Sequence, residues 1–473
     1  MRYDYQLAVI GGGAGGLTAA AGAASFGAST ALIEREIKLG GDCLHFGCVP
    51  SKALITAASE AVDWSVHMNL SEDQYNSLFT KAMSRVKEAV EEVHSHDSKQ
   101  RFIDMGVAVY EGSAKFLNNH TLQVGNDLIT AKRIVIASGS SPSIPSIQGI
   151  EQVDYLTNET IFSLKERPYS IIVIGGGAVG VELAQALAHL GVKTTLLESS
   201  ETILAKEDEE IADLVQKELA KKIIIITGTQ VDHVESADEG VTVYFNKKGS
   251  PATVQASHLL VAAGRKANID NLELENAEIA TENGVVKVDS HLRTSQKNIY
   301  AIGDCNGSMP FTHAAGMEGK IAVSNAVLGL TRKASYENVP WVVYTTPELY
   351  HLGLTEQEAR EKYGDQLLTF KTKLETSDRF MAERNKTGLI KVLTTGRGKI
   401  VGAHAFGPAA GEWMQEVGTL KALNKKFQAI SSIVHPYPAR NNAIVQTADL
   451  YWREKLFNSK WNEAIKWYVQ TFR

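Results

Sequence analysis

The sequence predicts an α/β protein with two doubly wound nucleotide-binding domains and a smaller C-terminal α+β domain, on three observations. A strand, a glycine turn, a small-residue helix, a second strand and a terminal acid follow one another from Tyr5 to Glu34, and the same series recurs from Ile171 to Glu198. Beyond about Pro340 the pattern changes to alternating strand-like runs flanked by helical stretches. A chain of 473 residues also exceeds what one core requires, so roughly two to four domains are expected.

In the first series, Tyr5 to Ile10 is a short apolar run that leads into Gly11-Gly12-Gly13-Ala14-Gly15-Gly16. A helix with Leu17, Ala19, Ala20 and Ala23 follows, then a strand Thr30 to Ile33 and Glu34. In this GxGxxG, Gly11 permits the tight turn, Gly13 lets a pyrophosphate approach the backbone, and Gly16 lets helix and strand pack closely. Glu34 is placed to accept hydrogen bonds from a ribose. The second series has Gly175, Gly177 and Gly180, a helix through Leu190, a strand Thr194 to Leu197, and Glu198. In both copies the acid lies 23 residues after the first glycine. A lone GxGxxG is weak; two copies in full context suggest a flavin relayed to a nicotinamide. Both folds are therefore expected to be Rossmann-like, one for FAD and one for NAD(P).

Between the fingerprints lies Gly40-Gly41-Asp42-Cys43-Leu44-His45-Phe46-Gly47-Cys48-Val49-Pro50-Ser51-Lys52. Behind Cys48 an Ala-rich helical run begins (Lys52, Ala53, Leu54, Ile55, Ala57, Ala58). A thiol near a helix N-terminus feels partial positive charge, which favours thiolate. On spacing alone the pair fits a structural disulfide or two buried thiols as well as a redox couple. From Ala58 to about Met105 the chain reads helical and highly charged, so His67, His94 and His96 are expected in solvent rather than as ligands, and no metal site is expected. Arg133 to Gly139 is an apolar strand closing on glycine, the run Ser140 to Gly149 reads as a linker, and His258 to Gly264 repeats the strand-then-glycine pattern. Asn298 to Asp304 is a further strand ending in Gly303 and Asp304. Phe311-Thr312-His313-Ala314-Ala315 opens a helix, and Cys305 reads as a small buried filler.

These segments together resemble the class I pyridine nucleotide-disulfide oxidoreductases, the family of lipoamide dehydrogenase, glutathione reductase and mercuric reductase. The usual redox segment reads GGTCxxxGCxPSK, and Asp42 stands here in place of Thr. The resemblance covers essentially the full chain, with four motifs in family order. It implies an FAD-binding domain over 1–148 and 268–338, an NAD(P)-binding domain over 149–267, and a dimerisation domain over 339–473. It implies further that NAD(P)H reduces FAD, which opens a Cys43–Cys48 disulfide, with Cys48 the thiolate beside the flavin and Cys43 the outer thiol. By the same resemblance, Gly139 and Gly264 are returns from the nucleotide folds and Asp304 binds the ribityl chain. His313 opens a helix facing the flavin N1–C2 edge, and Lys52 lies near the flavin and pairs with Glu182. The family's C-terminal HPT(x)(S)E motif supplies a histidine, oriented by its glutamate, to the dithiol of the partner subunit. Here His435 and Pro436 match, but Arg440 occupies the position of the glutamate. His435 is then the acid/base candidate without its usual carboxylate.

Glu198 would hydrogen-bond a free 2′-hydroxyl and repel a 2′-phosphate, so NAD(H) is expected over NADP(H). Glutathione is thereby disfavoured, and no cysteine follows Cys305 to form the C-terminal pair expected of a mercuric reductase. The reading that results is a dihydrolipoamide dehydrogenase-like enzyme acting on a small-molecule or protein-bound disulfide. The alternatives are a reductase of a metal ion, quinone or other small acceptor, and, outside catalysis, a flavin-bearing redox sensor. A net charge of −6 argues against nucleic acid as a partner. Three cysteines in so long a chain indicate a reducing compartment. Neither a signal peptide nor an apolar run of about 20 residues is legible, so a cytoplasmic homodimer is expected. From Leu450 to Arg473, Trp452, Trp461 and Trp467 alternate with Arg453, Lys455, Lys460, Lys466 and Arg473. This tail is expected either to pack on its own dimer or to make peripheral contact with a membrane or partner protein.

Overall fold

The computed structural model describes residues 2–65, 70–247, 249–457 and 461–473; His67 lies outside the described residues. The chain divides into two units. One comprises Met1–Gly175, Ala186–Leu197 and Gln230–Tyr336, the other Gly176–Gln185, Glu198–Thr229 and Glu337–Arg473.

In the first unit the strands Val107–Glu111, Thr30–Glu34, Tyr5–Ile10 and Asp127–Ile136 lie side by side, all parallel. The long strand Asp127–Ile136 serves two kinds of neighbour. Its first residues take Thr121–Val124 antiparallel, and its last three take Ile299–Ala301 parallel. Strands covered on both faces read as continuous apolar runs, and Leu7, Ala8 and Val9 are indeed fully buried. The helices Ala14–Ser25 and Thr312–Leu328 share one core with Leu7, Val9, Leu32 and Val135. They are rich in Gly and Ala because they approach closely: a Cβ on Gly319 would stand 2.7 Å from the carbonyl of Gly15. A second parallel sheet places Ser170–Ile174 between Lys193–Leu197 and His258–Val261.

Two details differ from the sequence reading. The helix after the dithiol starts at Cys48 itself and runs to Ser65, so the thiol belongs to its first turn. His94 is not a solvated residue. Its ring lies 5.5 Å from that of His45, and burial, then the charges of His45 and Lys38, lower its pKa. The charge pattern of the helix Glu72–His96 could not show that its end reaches the redox segment. His96 is exposed, as expected.

The second unit is built on a five-stranded antiparallel sheet, ordered Pro340–Val343, Glu348–Gly353, Ile400–Gly407, Leu389–Thr395, Leu367–Lys373. Every residue of Ile400–Gly407 is buried. Into this interior Lys391 brings an ammonium that is only 2% exposed, with Asp208 and Glu210 at 2.7 Å and Glu356 at 2.9 Å. Burial opposes ionisation of Glu356, but the contacts with Lys391 and Arg360 outweigh it and bring its pKa down from 4.5 to about 2. A carboxylate depressed in the folded state contributes stability above its unfolded pKa and loses it as pH falls through the folded value. The wild-type chain should therefore lose stability progressively from about pH 4.5 to about pH 2. Lys391→Met leaves three carboxylates facing one another. It should cost about 3–5 kcal/mol at pH 7, with the deficit shrinking on acidification, as read by urea midpoints across pH.

Candidate active site

The dithiol segment is seated by backbone geometry. Gly40 and Gly41 take positive φ of 117° and 60°, a region open to glycine at little cost. The Gly40 amide donates to the carbonyl of Gly12 at 2.8 Å. A Cβ on Gly41 would stand 2.7 Å from Gly13 Cα. The redox segment thus rests directly on the first fingerprint turn. From the other side, Asn158 Nδ2 donates to Asp42 Oδ1 at 3.2 Å and to the Phe46 carbonyl at 3.1 Å.

The two sulfurs differ sharply. Cys48 Sγ lies 3.1 Å from Thr312 Oγ1, and Thr312 opens the helix Thr312–Leu328. Two helix N-termini, that of Cys48 and that of Thr312, therefore meet at one sulfur, where partial positive charge favours an anion. The Cys48 thiol is brought down to about 6. The thiol of Cys43 donating to it is the largest cause, and the Thr312 hydroxyl and the Lys52 ammonium add to it against burial and the charge of Asp42. Cys43 moves the opposite way, raised by that same hydrogen bond, by burial and by the negative charge of Cys48. The shared proton sits on Cys43 and the charge on Cys48.

Asp42 is held in turn. Arg265 Nη2 lies 3.2 Å from Asp42 Oδ1, and the same guanidinium donates to the carbonyl and hydroxyl of Ser140 at 2.7 Å. The Ser140 hydroxyl donates to Asp304 Oδ2 at 2.5 Å. The turn carrying Asp304 is fixed by Glu318, which is fully buried. Glu318 accepts the Gly303 amide at 2.6 Å, Asn306 Nδ2 at 2.9 Å and the Tyr336 hydroxyl at 2.5 Å. Burial raises its pKa against those three donors. Cys305 is packed at 0% exposure and pushed up to about 12 by burial. His313 is exposed, with its ring stacked on Phe311 at 5.5 Å.

The fingerprint turns have the shape an anionic dinucleotide requires. Gly11, at φ +106°, could not carry a Cβ, which would stand 2.2 Å from the Ala137 carbonyl. On Gly16 a Cβ would meet the Gly11 carbonyl at 1.9 Å. At Gly13 the nearest neighbour of a Cβ is 3.9 Å away, so that side of the turn is open. The helix Ala14–Ser25 has no side-chain cap at Gly13, leaving its first amides directed at that opening, a fit for pyrophosphate. Glu34 takes the Gly12 amide at 2.5 Å and the Glu36 amide at 2.9 Å, so it braces the turn. Gly139 and Gly264 take positive φ, and a Cβ on Gly139 would have nothing within 4 Å.

The second fingerprint repeats the device. Gly175 has φ +114°, a Cβ on Gly177 would have nothing within 4 Å, and Gly180 is buried in the helix Ala178–His189. Glu198 accepts the Gly176 amide at 2.5 Å and the Ser200 amide at 2.7 Å. Burial opposes its charge, but the amides of Ser200 and Gly176 outweigh burial and its pKa is lowered. Glu182 is buried and accepts the Tyr344 amide at 2.8 Å.

His435 has a carboxylate after all, from a residue the sequence did not single out. Its Nε2 lies 2.7 Å from Glu416 Oε1, and its Nδ1 lies 2.9 Å from the Ile433 carbonyl. Asn441 Nδ2 holds the other Glu416 oxygen at 3.2 Å. Arg440 does not take the place of that acid: its guanidinium pairs with Glu383 at 3.1 and 3.2 Å. Glu416 comes from the helix Gln415–Ala422, 19 positions before His435, which is why no local motif reveals it. Thr312, Arg265, Asn158 and Glu318 were also missed. Only two of these carry a sequence signal, the acid within the small-residue run of Thr312–Leu328 and the arginine directly after Gly264.

A parallel sheet with a glycine fingerprint, a thiolate–thiol pair seated on it, and a second fingerprint define a flavin- and nicotinamide-dependent dithiol oxidoreductase. The chain belongs to the pyridine nucleotide-disulphide oxidoreductase family: that family's model matches residues 5–319 and its dimerisation domain matches residues 339–448. It is 33% identical to a mercuric reductase of Lysinibacillus sphaericus over 92% of this chain and 80% of the relative. It is also 33% identical to a dihydrolipoyl dehydrogenase of Bacillus subtilis over 95% of this chain and 98% of the relative. Among solved structures, the Cu(II) complex of the HOCl-induced flavoprotein disulfide reductase RclA from Escherichia coli is 28% identical, with a TM-score of 0.84, over 95% of this chain and all of that one.

The asymmetry of the sulfurs is directly measurable. Thiolate absorbance of the reduced protein should titrate near pH 6. Thr312→Val should move that inflection upward by about one unit, the worth of a hydrogen bond to a charged group. Lys52→Met should move it in the same direction. Curves that coincide with wild type would remove both residues from the account.

Proposed function

We propose that the enzyme is dihydrolipoamide dehydrogenase-like, using NAD(H) and exchanging electrons with a small or protein-bound dithiol through Cys43 and Cys48. The observation that carries this reading is the division of one proton between the two sulfurs, with the charge on Cys48. FAD, when bound, supplies the two-electron acceptor that exchanges hydride with the nicotinamide. Gly11, Gly13, Gly16, Glu34, Gly139, Gly303, Asp304 and His313 would hold it. Gly175, Gly177, Gly180, Glu198 and Gly264 would hold the nicotinamide coenzyme. We assign FAD binding to 1–148 and 268–338, coenzyme binding to 149–267 and dimerisation to 339–473.

In the oxidising direction, a substrate thiolate attacks Cys43 Sγ of the Cys43–Cys48 disulfide. A mixed disulfide forms and Cys48 leaves as thiolate, stabilised by Thr312 and Lys52. The second substrate thiolate then attacks the substrate sulfur of that mixed disulfide, which releases Cys43. The substrate loses two electrons and two protons, and one proton returns to Cys43. His435 of the partner subunit accepts the other proton, with Glu416 orienting the imidazole. Glu182, through the Tyr344 amide, ties the helix Ala178–His189 to the chain that follows the strand Pro340–Val343, and Glu198 sets coenzyme choice. Its oxygens are anchored by amides and its charge is favoured, so a 2′-phosphate there meets a fixed negative charge.

Reduction of a soft metal ion at the same dithiol is the second reading. It is favoured by the mercuric reductases among the relatives and by the Cu(II) complex of RclA.

Steady-state oxidation of dihydrolipoamide by the FAD-loaded enzyme separates these. Rapid turnover with NAD+, at least about tenfold poorer with NADP+, and abolished in Cys48→Ser is the expected result. Glu416→Gln should lower kcat by about tenfold or more and shift its pH profile. Negligible turnover with NADH still consumed by a metal ion would establish the second reading. A preference for NADP+ would overturn the role given to Glu198.

A further inference from the structure

The two C-terminal helices are Asn442–Phe457 and Trp461–Phe472. The dimerisation-domain match ends at residue 448, so the last helix lies beyond the matched residues. In it, Ile465, Tyr468, Val469 and Phe472 recur at i, i+3, i+4, i+7, the spacing of one helical face. Trp467 starts from the far side of the helix, but its ring lies 5.6 Å from that of Phe472, which in turn lies 5.5 Å from that of Tyr468. Glu463, Lys466 and Gln470 lie off that face. A soluble protein normally buries such an aromatic face against its own core. Here every residue from Glu463 to Arg473 is exposed, Trp467 at 61% and Phe472 at 62%. Just before it, Phe457 and Trp452 are exposed at 60% and 43%.

Charge says what covers this face. The whole chain carries 48 basic and 54 acidic side chains, yet Leu450 to Arg473 holds five basic residues (Arg453, Lys455, Lys460, Lys466, Arg473) against two acidic ones (Glu454, Glu463). The helix itself is neutral, Lys466 against Glu463, but the segment that it ends has five basic residues against two acidic ones; such a basic, Trp- and Tyr-bearing segment on an acidic protein is complementary to an anionic surface that is apolar just below its charges. With 12 residues it is about 18 Å long, too short for the roughly 30 Å of a hydrocarbon core, so it would lie along the surface. We propose that the helix Trp461–Phe472 seats its apolar face in the interfacial layer of an anionic lipid bilayer and holds the enzyme at a membrane surface.

The test is cosedimentation of the full-length FAD-loaded enzyme with sonicated vesicles of phosphatidylglycerol and phosphatidylethanolamine, against vesicles of phosphatidylcholine alone. Partition should be about tenfold or more stronger on the anionic vesicles and weaken with salt. The double variant Tyr468→Asp, Phe472→Asp should lose it, while keeping wild-type turnover in solution and the same hydrodynamic size. Deletion of residues 461–473 should behave alike, which guards against misfolding of the point variant. No binding at millimolar lipid, equal binding to both vesicles, or binding unchanged in the variants would overturn the proposal. A variant that shifts the oligomeric state would overturn it too, by assigning the face to a second copy of the chain.

Discussion

The hydrogen bond from Cys43 to Cys48 is the interaction around which the first unit is arranged. Two thiols side by side would share no charge in an apolar setting, because a buried thiolate is costly. Thr312 at one helix start, Cys48 at the start of another, and Lys52 one turn further make the charge affordable at one sulfur only. Once the charge rests there, Cys43 keeps the proton. A symmetric pair becomes one nucleophile and one leaving group, the minimum that disulfide exchange requires.

The rest of that unit keeps those sulfurs in register with the fingerprint turn. Gly40 bonded to Gly12, and Gly41 pressed on Gly13, leave no room for the redox segment to drift from the dinucleotide position. Glu318 performs the same service for the Gly303–Asp304 turn from within the core. Arg265 joins the two by holding Asp42 and Ser140. This also accounts for Asp42 where relatives in the family carry Thr: a carboxylate one position from Cys43 is tolerable because a guanidinium lies 3.2 Å away.

In the second unit the fixed charges are deeper. Lys391 among Asp208, Glu210 and Glu356 is a buried ion cluster, and such clusters contribute more to specifying one arrangement than to net stability. Glu416 and Glu383 divide the task around the His435 segment. One carboxylate meets the imidazole, and the other takes the guanidinium that stands where the family has its acid. The carboxylate expected at that position comes instead from another helix.

Much of the fold was legible in order along the chain. The fingerprints could be read because strand, turn, helix and acid are local, and Gly16 is demanded by the Gly11 carbonyl of the same turn, 1.9 Å from where a Cβ would stand. The cysteine pair and the terminal histidine could be recognised because their neighbours form contiguous motifs. What the sequence could not determine is anything carried by a side chain from elsewhere in the fold: Thr312 on the Cys48 sulfur, Asn158 and Arg265 on Asp42, Glu416 on His435, His94 against His45. These pairs are separated by between 19 and 264 positions. Local propensity and periodicity describe which face of an element is apolar. Which distant polar group meets it is decided only when the sheets close, since buried donors, acceptors and charges must then find partners wherever the chain has brought them.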